Sequence, residues 1–264
     1  MTLSSTESSS HHNNLRIAIA RMIARSGEGH IPSSFSILDI LIALYDSIPD
    51  LGTQGCKDRF VLSKGHGCAA LYVVLASKGI ISWEDIDSYG ENGSLLGGHP
   101  DRTKQAGVES SSGSLGHGFP FAVGQALADK VKLQTKSRTY VLLGDGECQE
   151  GTTWEAAEVA VNQGLSNLTA LIDWNGSAAQ LQPREYLKEK WEAFGWESYV
   201  LDGHNHLELS RALQQVSNSD EKPKVMICKT VKGKGVSFLE GHGKWHHKIP
   251  NERELQDIIQ ELSK

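Results

Sequence analysis

The run Thr139-Tyr140-Val141-Leu142-Leu143-Gly144-Asp145-Gly146-Glu147, followed further on by Leu168-Thr169-Ala170-Leu171-Ile172-Asp173-Trp174-Asn175-Gly176-Ser177, decides the fold. Tyr140 to Leu143 is a short apolar run rich in strand formers and reads as a buried strand. Gly144-Asp145-Gly146 ends it, and two glycines around an aspartate leave backbone N–H groups bare and let a ligand approach closely. Glu150 to Asn162 has helical spacing through Trp154, Ala157 and Val161. Leu168 to Ile172 is a second buried strand, stopped by Asp173-Trp174-Asn175-Gly176. Asp145 and Asn175 therefore both follow the C-terminal ends of strands, the edge at which open parallel sheets bind ligands. A carboxylate and a carboxamide carbonyl are hard oxygen donors suited to Mg²⁺, which also takes phosphate oxygens and water. The stretch reads as a β-α-β unit with a Mg²⁺–diphosphate site.

Outward from this unit, the elements alternate. Leu15 to Arg25 is an amphipathic helix that breaks at Ser26-Gly27-Glu28-Gly29-His30-Ile31-Pro32, and Ser34-Phe35-Ser36 is expected to cap the next helix, Ile37 to Tyr45. Phe60 to Leu62 is a strand ending in Ser63-Lys64-Gly65-His66-Gly67, and a helix runs on through Ala69, Leu71, Val74 and Leu75. A glycine-flanked histidine between a strand and a helix start is well placed to meet phosphate. Trp83 to Tyr89 reads as helix and Gly97-Gly98-His99-Pro100-Asp101 as loop. Ser110 to Gly118 leads into a helix from Phe121 to Val131 with small residues at Ala122, Gly124, Ala126 and Ala128. Ser198 to Leu201 and Lys224 to Thr230 are strands; His204 to Val216 and Glu252 to Leu262 are helices. The pattern predicts a doubly wound α/β domain with a mostly parallel sheet over residues 15–264, preceded by a mobile tail, 1–14, in which His11-His12 belongs to the tail's composition.

The chain has 264 residues, 39% hydrophobic and 22% charged, enough for one large domain with a real core. A net charge of −6 argues against a nucleic-acid surface. No apolar run reaches membrane-span length, and the first residues lack the apolar core of a signal peptide. Cys56, Cys68, Cys148 and Cys228 are scattered without a Cys-x-x-Cys, which fits reduced thiols in the cytoplasm rather than disulfides or zinc.

Gly144-Asp145-Gly146 and Asn175 are separated by 28 residues (147–174), a pairing that resembles the thiamine diphosphate signature. The text from 144 to 157, Gly-Asp-Gly-Glu-x-Gln-Glu-Gly-x-x-Trp-Glu-Ala-Ala, resembles transketolase. Ordered matches extend this over about Leu15 to Pro250: Gly-His at His30, Val-Leu-Ser-Lys-Gly-His ending at His66, Gly-Gly-His-Pro at His99, Ser-Gly-Ser-Leu-Gly around Gly113, Asp-x-Asn at Asn175, and Lys-Thr-Val-Lys-Gly-Lys-Gly-Val-Ser-Phe ending at Phe238. The resemblance implies thiamine diphosphate and Mg²⁺ as cofactors and transfer of a two-carbon ketol unit from a ketose or ketose phosphate to an aldehyde. It implies Asp145, Asn175 and the Ser177 carbonyl as metal ligands. The Gly144-Asp145-Gly146-Glu147 turn and His66 would bind the diphosphate, Gly113 and Leu115 would line the cofactor rings, and Glu150 would lie near the pyrimidine at a subunit interface. His30 and His99 would face the substrate. The family has a further histidine after the Lys-Gly-Lys-Gly segment; His242, His246 and His247 are candidates between which the sequence does not choose.

Long transketolases continue into a pyrimidine-binding domain and a C-terminal domain. Split forms place these on a second polypeptide, and the resemblance implies that this chain is the N-terminal subunit of one, working in a heterotetramer. Departures from the family text occur at Gly27-Glu28-Gly29 before His30, at Ile31-Pro32-Ser33-Ser34 after it, and at Gly176-Ser177-Ala178-Ala179-Gln180 after Asn175. They leave open a specialised ketol transferase with an unusual sugar or carrier-bound acceptor. The rival readings are a 2-oxo acid dehydrogenase-type subunit and a non-catalytic scaffold subunit.

Overall fold

The computed structural model describes residues 5–132, 137–179, 186–218, 221–241 and 243–264. In chain order the elements are α1 (Ser5–Ser26), α2 (Ile31–Ser47), β1 (Arg59–Leu62), α3 (Cys68–Ser77), α4 (Trp83–Asp87), α5 (Gly118–Val131), β2 (Thr139–Gly144), α6 (Gly151–Asn162), β3 (Leu168–Trp174), α7 (Leu187–Ala193), β4 (Glu197–Asp202), α8 (His206–Ser217), β5 (Lys224–Lys229) and α9 (Glu252–Leu262). The strands form one parallel sheet in the order β1-β2-β3-β5-β4. Side chains alternate along a strand, so each strand feeds two cores. Leu62, Leu142, Leu171 and Met226 pack under α1, α2, α3, α8 and α9. Val61, Val141, Ala170, Ile172 and Val225 pack under α5, α6 and α7. Both faces are covered, which is why β2 and β3 are apolar almost without interruption. The doubly wound α/β domain expected from the sequence is the observed one.

The register places the site. Gly144 pairs with Asp173, and Asp173 with Cys228. The C-terminal ends of β2, β3 and β5 are therefore level, and the turns carrying Asp145, Asn175 and Thr230–Lys232 emerge side by side.

Two helix starts differ most from expectation. Residues 5–14, expected in a mobile tail, form the first turns of α1. No Gly or Pro interrupts the chain before Gly27, and His12 and Arg16 pair with Asp39 of α2, so tertiary contacts outweigh the modest propensities of Ser and Asn. Helix α2 starts at Ile31 with Pro32 in its first turn, the position a proline tolerates. The serines expected to cap it lie within the helix instead, and Ser33, Ser34 and Ser36 are buried. Helix α7 was not expected; Trp191 is its fully buried anchor, packed on Phe119, Trp154 and Trp196.

Candidate active site

At the end of β2, Asp145 opens a 3₁₀ turn, Asp145–Gln149, and is 5% exposed. Its Oδ2 accepts the Gly176 N–H at 2.7 Å, which ties the turn after β3 to the turn after β2. Asn175 accepts from the Ser177 N–H at 2.9 Å and the Ser177 hydroxyl at 2.6 Å, both on Oδ1. Its Nδ2 donates to Asp173 Oδ2 at 2.8 Å. Asp173 is completely buried and also receives Ser36 Oγ at 2.8 Å, Thr230 Oγ1 and the Lys64 ammonium. Burial, and after it the Asp173 carboxylate, push the Asp145 carboxyl above the usual range.

Glu147 sits in the same corner and is fully buried. Its Oε1 accepts Ser63 Oγ at 2.6 Å and the Gly116 N–H at 3.0 Å; its Oε2 accepts the Gly144 N–H at 3.0 Å. One carboxylate thus clamps the loops after β1, before α5 and after β2. Its oxygens are engaged inside the protein, so Glu147 supports the loops and does not face the cleft as its place in the motif implied. Gly116, at φ +74°, must be glycine: a Cβ there would lie 2.6 Å from Thr152 Oγ1 and 2.7 Å from Glu150 Cβ.

Above this corner lie the histidines. The His30 ring is 5.4 Å from His66, 5.6 Å from His246 and 4.5 Å from His247 between centroids. Lys232 is buried; its Nζ lies 3.2 Å from Ser177 Oγ and 2.7 Å from His246 Nδ1. His246 thereby joins the Asp145–Asn175 corner to the histidine group, while His247 touches that group through His30. His242 lies outside the described residues. His99 approaches the group through Gly113, whose Cβ position is 3.5 Å from His99 Cδ2. Glu28, the added charge of the Gly27–Gly29 segment, lies against Gly98, where a Cβ would fall 2.0 Å from Glu28 Oε1. Leu115 and Glu150 are exposed at the rim.

Burial, then the neighbouring His247 and His246, pushes the His30 imidazole down to about 4. Burial, then Lys64 and His30, pushes His66 down to about 2. Both rings are neutral at pH 7 and must take up charge in a crowded site as the pH falls. The unfolded chain protonates near 6.5 and the folded chain only lower, so stability is full above about pH 6.5 and is lost as pH falls towards 4. Melts of the full chain from about pH 7.5 to about pH 5 are expected to show a falling Tm, and His66→Asn is expected to flatten that slope. An unchanged slope in the variant would remove His66 as its source.

A second polar group supports the cleft from behind. Asp39 receives Arg16 at 2.6 Å, and its carboxylate lies 2.9 Å from His12 Nδ1 and 2.7 Å from His204 Nδ1. The other His204 nitrogen accepts the Val231 N–H at 2.8 Å, one residue before Lys232. The acid's pairing with these groups holds its carboxyl well below the usual range despite its burial.

Among the described residues, no cluster of three or more His, Cys, Asp or Glu is arranged to hold a metal. The corner offers instead one carboxylate and one carboxamide beside the Ser177 turn, the kind of sparse oxygen set that Mg²⁺ completes with phosphate and water. Gly146 has open space where a side chain would project. The buried His30 Nδ1 and Ser33 Oγ have no partner among the described residues. Unpartnered polar atoms, two neutral histidines, a buried lysine and a bare glycine turn fit a metal-bound diphosphate cofactor. Sequence reasoning had not singled out Lys232, Lys64 or Asp173 as site residues; Lys232 and Lys64 were visible as text of the ordered motifs, but nothing local said that they were buried.

Fold and cleft fit a domain that would hold a metal-bound diphosphate at the carboxyl edge of its parallel sheet. The family described as transketolase, thiamine diphosphate binding domain, matches residues 8–263. The chain belongs to the transketolase family and is a thiamine diphosphate-binding transferase subunit of the N-terminal type. An apulose-4-phosphate transketolase subunit of Phocaeicola vulgatus is 38% identical over 272 residues, covering 100% of this chain and 95% of that protein. The 6-deoxy-6-sulfo-D-fructose transketolase subunit SqwG of a Clostridium species is 38% identical over 261 residues, covering 96% and 94%. The crystal structure of Campylobacter jejuni transketolase superposes with a TM-score of 0.90 at 30% identity, covering 100% of this chain and 43% of that longer one. Among the described residues no helix is long and apolar enough to cross a membrane.

Proposed function

We propose that this chain is the diphosphate-binding subunit of a split transketolase, paired with a second polypeptide that carries the pyrimidine-binding and C-terminal domains, two copies of each forming the enzyme. The observation that carries the reading is the convergence of Asp145, Asn175, Lys232 and His66 on one corner of the sheet edge. The end-to-end match to two relatives named as subunits supports the division between polypeptides. Exposed Leu115, Phe121 and Val159 on and beside α5 and α6 supply apolar area for a partner. Four free thiols, three of them buried, suit the reducing cytoplasm.

Thiamine diphosphate supplies, when bound, the electron sink for breaking and making the carbon–carbon bond of a ketol transfer. Asp145, Asn175 and the Ser177 carbonyl hold Mg²⁺. The Gly146 N–H, His66 and Lys232 hold the diphosphate, and Gly113 and Leu115 line the space for the rings. Glu150 stands at the partner interface. His30, His99 and His246 face the substrate; a neutral imidazole there can accept a proton from a sugar hydroxyl and return it. The substrates in this reading are a ketose or ketose phosphate as donor and an aldehyde as acceptor.

The test is capture of the chain from its native lysate, identification of what accompanies it, and assay of the reconstituted pair for two-carbon transfer between a ketose phosphate and an aldose. The expected result is a partner bearing a pyrimidine-binding domain and activity only with both chains present. Release of CO₂ from a 2-oxo acid, or no turnover with every accompanying chain present, would sink the proposal.

A further inference from the structure

A carboxamide has two ends of nearly equal size, and only the oxygen can serve Mg²⁺. Which end of Asn175 faces the metal corner is decided by its neighbours. Asp173 Oδ2, an acceptor, lies 2.8 Å from Asn175 Nδ2. The Ser177 N–H and hydroxyl meet the opposite end at 2.9 and 2.6 Å. Turning the amide over would set oxygen against carboxylate and NH₂ against the Ser177 N–H. Asp173 cannot swing away, because Ser36 from α2, Thr230 from the end of β5 and Lys64 from the turn after β1 all donate to it. Lys64 is fixed in turn by the Ser33 carbonyl at 3.1 Å and Ser36 Oγ at 3.2 Å. The lysine and the aspartate are 2% and 0% exposed.

We infer that Asp173, anchored by Lys64, is the positioning residue that fixes the Asn175 carboxamide with its oxygen towards the metal. Neither side chain touches the ion; their role is to orient a ligand, the kind of outer partnership whose loss typically weakens metal binding about 10–100-fold. The inference rests on the reading of Asn175 as a metal ligand.

The test uses the full chain with thiamine diphosphate and Mn²⁺, free Mn²⁺ being counted by electron paramagnetic resonance. The Lys64 ammonium and Ser36 Oγ meet the same Asp173 oxygen as Asn175 Nδ2, so Asp173→Asn alone keeps an acceptor there and is expected to bind Mn²⁺ within about tenfold of the native chain. The neutral pair Lys64→Met with Asp173→Asn frees the amide at position 173 to present either end to Asn175 and is expected to loosen Mn²⁺ about 10–100-fold. A pair as tight as the native chain, or a single Asp173→Asn variant as weak as the pair, overturns the inference. Native-like Mn²⁺ binding in Asn175→Ala overturns the ligand reading beneath it, a failure distinct from the first. A metal-free readout stands beside these: in amide NMR of the full native chain, one Asn175 Nδ2–H is expected to be protected from solvent exchange. Absence of that protection in the native chain, or its persistence in the folded neutral pair, also overturns the inference.

Discussion

Asp145→Ala is expected to abolish Mg²⁺-dependent binding of thiamine diphosphate while the protein stays folded. In the proposed ligand set Asp145 supplies the carboxylate, beside the Asn175 carboxamide and the Ser177 carbonyl, so its removal leaves Mg²⁺ without a charged protein ligand. An affinity loss of at least two orders of magnitude, on the order of 3 kcal/mol, follows. The cost to the fold is smaller. Alanine leaves the Gly176 N–H without its acceptor, about 1–3 kcal/mol, and part of this is offset because a buried carboxyl beside Asp173 no longer has to be desolvated. Titration of the assembled enzyme by calorimetry, with circular dichroism of the same samples, reads both quantities. A variant that binds and turns over like the native enzyme would remove the metal assignment.

The largest expected loss of stability belongs to Lys64→Met. The substitution keeps the length and apolar stem of the side chain but removes the cation beside a completely buried Asp173. Breaking one side of a buried pair strands the other charge and costs about 3–5 kcal/mol. Set against a typical total of about 5–15 kcal/mol, that is enough to move the denaturant midpoint far down. Neutralising the second partner as well, in Lys64→Met with Asp173→Asn, is expected to restore much of the loss, because removing both charges avoids the stranded one. A Lys64→Met midpoint equal to the native value would mean that the pair is not closed in solution.

Much of the sheet was legible because a strand covered on both faces has no choice of residues: β2 and β3 announce themselves as unbroken apolar runs. Asp145 and Asn175 were legible for a related reason, since the glycines that end those strands leave a polar residue at a predictable edge. Glu147 shows the limit of that logic. It stands in the same turn, yet its carboxylate is consumed by Ser63, Gly116 and Gly144, and only the folded chain shows which way a side chain two residues from Asp145 is turned. Lys64 and Asp173 each stand inside a quoted motif, yet 109 positions separate them and neither segment says that the two meet. Helix α1 was cut short because composition weighs residues singly, whereas Arg16 and His12 are held by Asp39, on another helix. Between His246 and His247 the sequence offered no choice; the contact of His246 with Lys232 comes from a fold-back that periodicity cannot express.

The Asp39 group makes the beginning of the chain harder to edit than its serine-rich spelling invites. Trimming the protein to start at Leu15 would take away His12, the partner of one Asp39 oxygen, and leave Arg16 in a frayed first turn on the other oxygen, the one that His204 also meets. Because His204 receives the Val231 N–H, the slack would be felt one residue from Lys232. An affinity handle put in place of residues 1–14 would carry that cost.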